Sequence, residues 1–521
     1  MIFRSRFPDV EIPEVGLAEF VIEKAETYGD RPALIDGPTG RTVTYAGLAR
    51  TVRALAAGLA QRGFGKGDVL AVYSPNLPEY AAVLHAVAML GGVTTTVNPL
   101  YTARELAEQV SDAGARLLIT VPPLLERALE ASRQAGVKDV VVFGEAKEAS
   151  SFASLLQSGE RVPPVSIAPR TDVVVMPYSS GTTGLPKGVM LTHYNLVANI
   201  CQTEALFPME VERVIAVLPF YHIYGLTVLL NISLHRGDTV VTMPRFDLEQ
   251  FLQLMQQHGV TRAYLVPPIV LALAKHPLVE KYNLGSLRSI NSGAAPLGEN
   301  IEQACENRLR CFVAQGYGLT ETSPVVSTTP IDPAVHRAGS AGLLIPNTEC
   351  RVVDPASSAE LEANQQGEVC VRGPQVMKGY LNQPAATAAM LEPDGWLHTG
   401  DIGMVDQDGY LFIVDRLKEL IKYKAFQVAP AELESLLLKH PAVADAAVIP
   451  HPDPEAGEVP KAFVVMKGQA SPEELMAFVN GQVAPFKKIR LLEVVDQIPK
   501  SPAGKILRRT LIERERSHAG A

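Results

Sequence analysis

This 521-residue chain is short of cysteine, with five, and Cys201, Cys305, Cys311, Cys350 and Cys370 form no CxxC pair and no metal-ligand spacing. That excludes a disulfide scaffold and fits reduced core thiols in a cytoplasmic protein. Positive charge is not in excess either: the net charge is −9, which leaves no electrostatic footprint for nucleic acid. Long apolar runs are missing. Residues 214–234 come near the ~20-residue length of a membrane span, but Pro219, His222 and Gly225 break them into a strand, a turn and a helix. Behind the two arginines of residues 1–9 no apolar segment follows, so no signal peptide is expected, and residues 517–521 carry no peroxisomal address. Internal repeats and low-complexity tracts are absent, and 47% hydrophobic with 20% charged residues argues against disorder.

What is present is a long alternation. A chain of this length exceeds one hydrophobic core, so two or more domains are expected. From about residue 45 to 330 apolar strands alternate with amphipathic helices, the pattern of parallel sheets covered by helices. Val69 to Tyr73 reads as a strand, Pro78 opens a helix that Gly91-Gly92 stops, and Val93 to Val97 follows as the next strand. Asp247 is placed to cap a helix from Leu248 to His258, with Gly259 as its end. Between about 337 and 414 the character changes to short alternating strands with turn dipeptides, a small β-rich subdomain. The last hundred residues read as a compact α+β unit, with helices opening at Pro430 and at Ser471-Pro472.

One run of ten residues carries the first chemistry: Ser179-Ser180-Gly181-Thr182-Thr183-Gly184-Leu185-Pro186-Lys187-Gly188. It leaves the end of an apolar strand, Asp172 to Tyr178, where nucleotide sites of α/β proteins form. Glycines let the backbone approach phosphate oxygens, hydroxyls and successive N–H groups donate to them, and Lys187 adds a mobile positive charge. The Walker A pattern does not fit. It needs a hydroxyl residue after the lysine at a helix start, whereas Gly188 follows Lys187 and Pro186 precedes it. The run is therefore read as a loop that holds ATP.

With that loop in place, the strings SSGTTGLPKGVMLTH, QGYGLTE, GEVCVRGPQVMKGYL, GWLHTGD and VDRLKELIKYKAFQVAPAELE resemble, in order and spacing, the adenylate-forming superfamily of acyl-CoA synthetases, luciferases and adenylation domains. They are most similar to the bacterial 4-coumarate/cinnamate–CoA ligase branch. The resemblance implies an α/β multidomain fold: a large N-terminal domain, residues 1–416, of parallel-sheet subdomains with a β-barrel-like part at about 337–414, and a mobile α+β domain, residues 417–521, hinged at Lys418. It implies a two-step reaction, in which an acid and ATP with Mg²⁺ give acyl-AMP and pyrophosphate, and the thiol of coenzyme A then displaces AMP. Catalytic roles fall on Thr182, Lys187, His222, Glu321 and Lys505, with Glu321 holding the metal. Nucleotide contacts fall on Ser179, Ser180, Gly181, Thr182, Thr183, Gly184, Lys187, Gln315, Gly316, Tyr317, Gly318, Thr320, Asp401, Arg416, Lys422, Gln427 and Lys505. Arg245, Lys424 and Ala425 would meet coenzyme A. His222, Tyr224, Gly293, Ala294, Ala295, Gly316, Pro324 and Val325 would line the acid pocket.

The chemistry asked of Lys505 is charge. Attack of a carboxylate on phosphorus builds negative charge on oxygen, and a positioned ammonium stabilises that charge more in the transition state than in the ground state. One departure from the family string stands out: Ala425 occupies a position that is usually glycine, where the backbone lines the thiol tunnel. The adenylation half is accordingly more fully written than the thioester half. Small residues at Gly293, Ala294 and Gly316 suit a flat aryl acid. A medium-chain fatty acid, and a luciferase-like enzyme with a poor coenzyme A step, remain the alternatives. The partners implied are the acid, ATP and coenzyme A, in a monomer or homodimer without nucleic acid or membrane span.

Overall fold

The computed structural model describes all residues except 157–160, 180–185, 208–209, 425, 502–503 and 520–521, and leaves out the side chains of Glu26, Pro333, Gln427 and residues 516–519. Two large mixed sheets form its body. In the first, of eight strands, the parallel run Val173–Ser179, Val93–Val97, Val69–Tyr73, Ala115–Thr120, Asp139–Val142 and Ser150–Ser151 is flanked by Lys187–Thr192 and then Gly379–Tyr380. Val93–Val97 lies inside the sheet with all five residues buried, which is why it reads as an unbroken β-branched run. Burying each of its valines contributes about 1.5–3 kcal/mol.

The second sheet, of nine strands, is parallel from Phe312–Gly318 through Ser289–Ser292, Arg262–Leu265, Arg213–Ala216 and Thr239–Thr242 to Pro32–Asp36. Both sheets depart from the purely parallel expectation, the second also at its far edge, where Thr42–Thr44 runs antiparallel to Pro32–Asp36, and each at one place near the site. Val173–Ser179 is paired antiparallel with Lys187–Thr192, and Phe312–Gly318 antiparallel with Val325–Thr328. The connections at those places are too short for a crossover helix, so the chain can only return alongside itself. These two connections contain the glycine-rich run and the residues after QGYG.

Local signals set the helices. Asp247 accepts a hydrogen bond from Gln250 N at 2.9 Å, and Gly259 ends that helix in the left-handed region; such a cap is worth about 1 kcal/mol. Residues 214–234 depart from expectation, since Tyr224–Ile232 winds as a wide π-type helix rather than an α-helix. Asn231 Nδ2 donates to the Leu226 carbonyl five residues back at 2.8 Å, and a Cβ on Gly225 would lie 2.1 Å from the Pro219 carbonyl oxygen, so only glycine fits that entry turn. No described helix is long and apolar enough to cross a membrane.

A third sheet is the small β-rich part, five antiparallel strands in the order Ile2–Arg4, Glu349–Val353, Gly367–Arg372, Leu397–Val405 and Leu411–Arg416. Its first strand comes from the start of the chain, with Ile2 opposite Arg351. The fourth sheet belongs to the last hundred residues: Phe426–Val428, Ile421–Tyr423, Gly457–Met466 and Val443–Asp453, with Leu491–Val494 beside Gly457–Met466. Leu433, Leu437, Val464 and Leu475 give it a core of its own, and Ile402, Leu420 and Ala429 form a small apolar seam to the third sheet.

Candidate active site

The ends of the glycine-rich connection are fixed by strand pairing, Ser179 opposite Lys187. Ser180, Gly181, Thr182, Thr183 and Gly184 lie outside the described residues. Ser179 Oγ donates to Glu321 Oε1 at 3.0 Å, and the Tyr380 hydroxyl donates to the same oxygen at 2.9 Å. Lys187 Nζ stands 5.0 Å from the centre of the Tyr380 ring, a cation–π distance. Glu321 itself is on the short turn after Phe312–Gly318, buried to 7% exposure, with Met377 N donating to its carbonyl at 2.8 Å. Gly318 starts that turn, because a Cβ there would lie 2.1 Å from the Pro324 carbonyl oxygen. The carboxylate follows a strand of the second large sheet and is held by two strands of the first.

The third sheet brings a second carboxylate to the same region. Tyr317 donates its hydroxyl to Asp401 Oδ2 at 2.6 Å, and Arg416 Nε lies 3.5 Å from Asp401 Oδ1, the two residues being directly paired across adjacent strands. Burial pushes the Asp401 carboxyl up, while Arg416, the Tyr317 hydroxyl and Lys505 pull it back towards the ionised form. Its backbone is fixed from behind. Gly400 N donates to Glu368 Oε1 at 3.1 Å, and His398 is held between Glu368 Oε2 at 3.0 Å and Glu392 Oε1 at 2.7 Å. The Cys370 sulfur and the Glu368 carboxylate push His398 up to about 11, so it is an imidazolium that ties two acidic side chains together. Trp396, on the approach to that strand, is buried between the guanidiniums of Arg351 and Arg372, 4.7 and 4.5 Å from its ring.

Beside these carboxylates opens a cavity with about 610 Å³ of empty space, its mouth included, lined among others by His222, Tyr224, Gly293, Gly316, Tyr317 and Lys505. His222 Nδ1 accepts from Tyr224 N at 3.2 Å, which leaves the proton on Nε2. Burial and the Lys505 charge push this imidazole down to about 3, so it is neutral near neutral pH. The Tyr224 hydroxyl donates to the Asn291 carbonyl at 3.1 Å, and its ring would lie 2.9 Å from any Cβ on Gly293. Ala294, at φ 70, holds the left-handed turn that follows.

Lys505 reaches the cavity from the last hundred residues, on a segment pinned at both ends. Lys500 Nζ bonds Asp445 at 2.6 Å before it, and after it Arg508 bonds Glu419 at 2.6 Å and Glu434 at 2.8 Å. Burial, then the Arg416 charge, lower the Lys505 pKa; Asp401 and Glu321 oppose that shift.

Other residues named from sequence lie elsewhere. The Gln315 amide is used inside the fold, donating to the Leu297 carbonyl and Glu302 and accepting from Leu297 N, so it steadies the turn after Gly293 instead of facing the cavity. Ala295 is adjacent to the lining residues but is not one of them, whereas Ala294, Gly318, Thr320, Pro324 and Val325 are. Arg245 is exposed. Lys422 is exposed on the hairpin Ile421–Tyr423 and Phe426–Val428, opposite Gln427, and Lys424 turns that hairpin at φ 52; Ala425 and the Gln427 side chain are outside the description. Lys418 is in the turn after Leu411–Arg416, where Leu417 N donates to the Gly400 carbonyl at 2.8 Å. Sequence reading missed Tyr380, Thr203, Phe207, Tyr264 and Asn291. Only Tyr380 had a signal, the tyrosine of the MKGYL string.

A family model described as AMP-binding enzyme matches residues 21–381, and one described as AMP-binding enzyme C-terminal domain matches residues 432–505. The chain is 45% identical to a 4-coumarate–CoA ligase 5 of Oryza sativa subsp. japonica and 43% identical to a 4-coumarate–CoA ligase 1 of Petroselinum crispum, in each case over 98% of this chain and 96% of the relative. Among solved structures, ATP-bound MatB from Rhodopseudomonas palustris is similar with a TM-score of 0.86 at 28% identity, covering 96% of this chain and 99% of that one. An anthranilate CoA ligase in complex with anthranoyl-AMP shares the fold with a TM-score of 0.88 at 23% identity, covering 98% of this chain and 99% of that one.

Proposed function

Because the chain belongs to the AMP-binding enzyme family, we propose that it is an ATP-dependent acid–CoA ligase, making an acyl-AMP with release of pyrophosphate and then an acyl-CoA with release of AMP. The acid is 4-coumarate or another cinnamate-type aryl acid. The observation that carries this reading is a cavity lined jointly by a neutral histidine, a tyrosine facing glycine, the ring of Tyr317 and the lysine from the far end of the chain. A flat ring fits in the cavity beside Tyr224, whose own ring is packed on Gly293, and its carboxylate then points towards His222 and Lys505.

In the first step, the Lys505 ammonium neutralises charge that builds on the α-phosphate as the carboxylate attacks, and His222 donates through Nε2 without carrying charge of its own. Asp401 accepts the ribose hydroxyls, with Arg416 beside it, and Tyr317 gives adenine an aromatic face. Lys187 and the hydroxyl-rich run meet the phosphates. Glu321 suits Mg²⁺, since it is a buried carboxylate with both of its described donors on one oxygen, and the ion would supply charge neutralisation to the triphosphate.

Residues 1–416 act as the adenylating domain and 417–521 as a mobile domain that turns about Lys418, withdrawing Lys505 and presenting the Lys422–Gln427 hairpin for the coenzyme A step, with Arg245 at the nucleotide end of coenzyme A. Five free cysteines suit a reducing cytoplasm. The test is a panel of cinnamates, benzoates and fatty acids from hexanoate to palmitate with ATP and Mg²⁺, in which pyrophosphate and free thiol are measured together. Aryl-acid-dependent pyrophosphate release with matched loss of thiol is expected. Pyrophosphate without thiol loss would withdraw the ligase assignment, and turnover of fatty acids alone would withdraw the aryl acid.

A further inference from the structure

Two adjacent strands of the third sheet bring a thiol, an imidazole and a carboxylate together. Cys370, on Gly367–Arg372, is paired directly with His398, on Leu397–Val405, and Glu368 is two residues before Cys370, hence on the same face of its strand. Cys370 Sγ is 3.4 Å from His398 Nδ1, Glu368 Oε2 is 3.0 Å from the same nitrogen, and the three ligand atoms lie within 4.8 Å of one another. One Nδ1 proton is thus shared between two acceptors. From Cys370 back to Glu368 the partner strand runs from His398 to Ile402, and its surplus residues form a bulge with Gly400 at φ 69. That bulge presents Asp401 to Tyr317 and Arg416. Glu368 holds it from behind, one oxygen accepting from Gly400 N and the other facing His398.

The donor set decides which ion could replace that proton. A thiolate, an imidazole nitrogen and a single carboxylate oxygen suit zinc, cobalt and cadmium, whereas Mg²⁺ and Ca²⁺ take oxygen ligands. On its other side, His398 Nε2 is 2.7 Å from Glu392 Oε1, the carboxylate–imidazole arrangement that orients metal-bound histidines. One cation faces the cluster: Arg351, paired across from Cys370 and close to its sulfur. Its charge is met by Glu392 and by Glu360, 3.7 Å away, so Glu368 and the sulfur remain to balance a dication. Cys370 is fully buried, whereas the His398 side chain is 29% exposed, so an ion enters past the imidazole and keeps its fourth position towards solvent. Uptake displaces the Nδ1 proton, together with any on the sulfur, to water.

We propose that Cys370, His398 and Glu368 form a binding site for one thiophilic divalent ion of the zinc class, and that the bound ion braces the bulge from which Asp401 projects. The test titrates the full-length protein, stripped by a chelator, with Co²⁺ alone as the probe. One equivalent per chain should bring up sulfur-to-cobalt charge-transfer absorption, which zinc then abolishes and excess Mg²⁺ does not. Cys370→Ala should remove the band, and Cys201→Ala, at a half-exposed thiol elsewhere, should leave it unchanged. Glu392→Gln should weaken cobalt binding about 10–100-fold, the usual effect of losing the partner of a metal-bound histidine, and it serves if Cys370→Ala does not fold. No band in the unsubstituted protein, displacement by Mg²⁺, survival of the band in Cys370→Ala, or an affinity that Glu392→Gln does not move overturns the site. The bracing rests on the nucleotide role proposed for Asp401 and is read without any acid. By equilibrium dialysis in excess Mg²⁺, zinc-loaded protein should bind ATP a few-fold more tightly than metal-free protein, a difference missing in Cys370→Ala. Equal ATP affinities overturn the bracing and leave the site. No ATP binding in either form overturns the nucleotide reading and the bracing with it.

Discussion

At the end of the cavity nearest Lys505, the polar groups are already engaged with one another: Glu321 with Ser179 and Tyr380, Asp401 with Tyr317 and Arg416, His398 with two carboxylates. At the opposite end, Thr203 keeps a hydroxyl that the described fold does not satisfy. The first arrangement is preorganised for charge, as the nucleotide contacts proposed for it require. The second leaves a buried hydroxyl without a partner among the described residues. Shared chemistry and individual selectivity are thus separated along one cavity.

The sharpest way to break this contrast is Lys505→Ala. Exchange of labelled pyrophosphate into ATP should fall about 10²–10³-fold, the usual effect of removing one transition-state donor, while the melting temperature stays put. Undiminished exchange would remove the charged end from the mechanism. Next in size is Asp401→Asn, which keeps the shape but loses the negative acceptor. It should raise KM for ATP by about tenfold and leave KM for the acid alone; equal effects on both would mean that the two ends are not separate.

On the acid side, Gly293→Ala places a methyl 2.9 Å from the Tyr224 ring. A few-fold drop for ring-bearing acids relative to straight-chain ones is expected in competition assays, in the range that one methylene commands. The smallest effect is on pH. Lys505 acts as the ammonium, and burial with Arg416 lowers its pKa, so exchange should decline on the alkaline side earlier than a solvent lysine would allow. Asp401 opposes that lowering, and Asp401→Asn should therefore move the decline to still lower pH. His222, held down to about 3, contributes no acid limb near neutrality.

The charged end was largely legible from the amino-acid order, because its residues come in short strings whose spacing is itself the signal. Asp247, Pro78 and Gly259 likewise announced their helices by local chemistry. What could not be read depends on pairing between distant segments. Ile2–Arg4 is three residues long and finds its partner near Arg351; Gly379–Tyr380 is two residues long, yet adding it beside Lys187–Thr192 is what sets the Tyr380 hydroxyl on Glu321. Gln315 belonged to a nucleotide-like string, but side-chain direction turned it to Leu297 and Glu302. The end of the cavity at Thr203 was the least visible part. Thr203 on a helix and Tyr264 on a strand are both 2% exposed and resemble ordinary core until the fold sets them side by side.

Trp396 is the chain's single tryptophan, held between two guanidiniums immediately before the strand that carries Asp401. Its indole emission is thus a built-in optical reporter. With no competing fluorophore of its kind, a change in intensity on adding nucleotide follows that strand and its arginine neighbours directly, and titrations can be run on unlabelled protein.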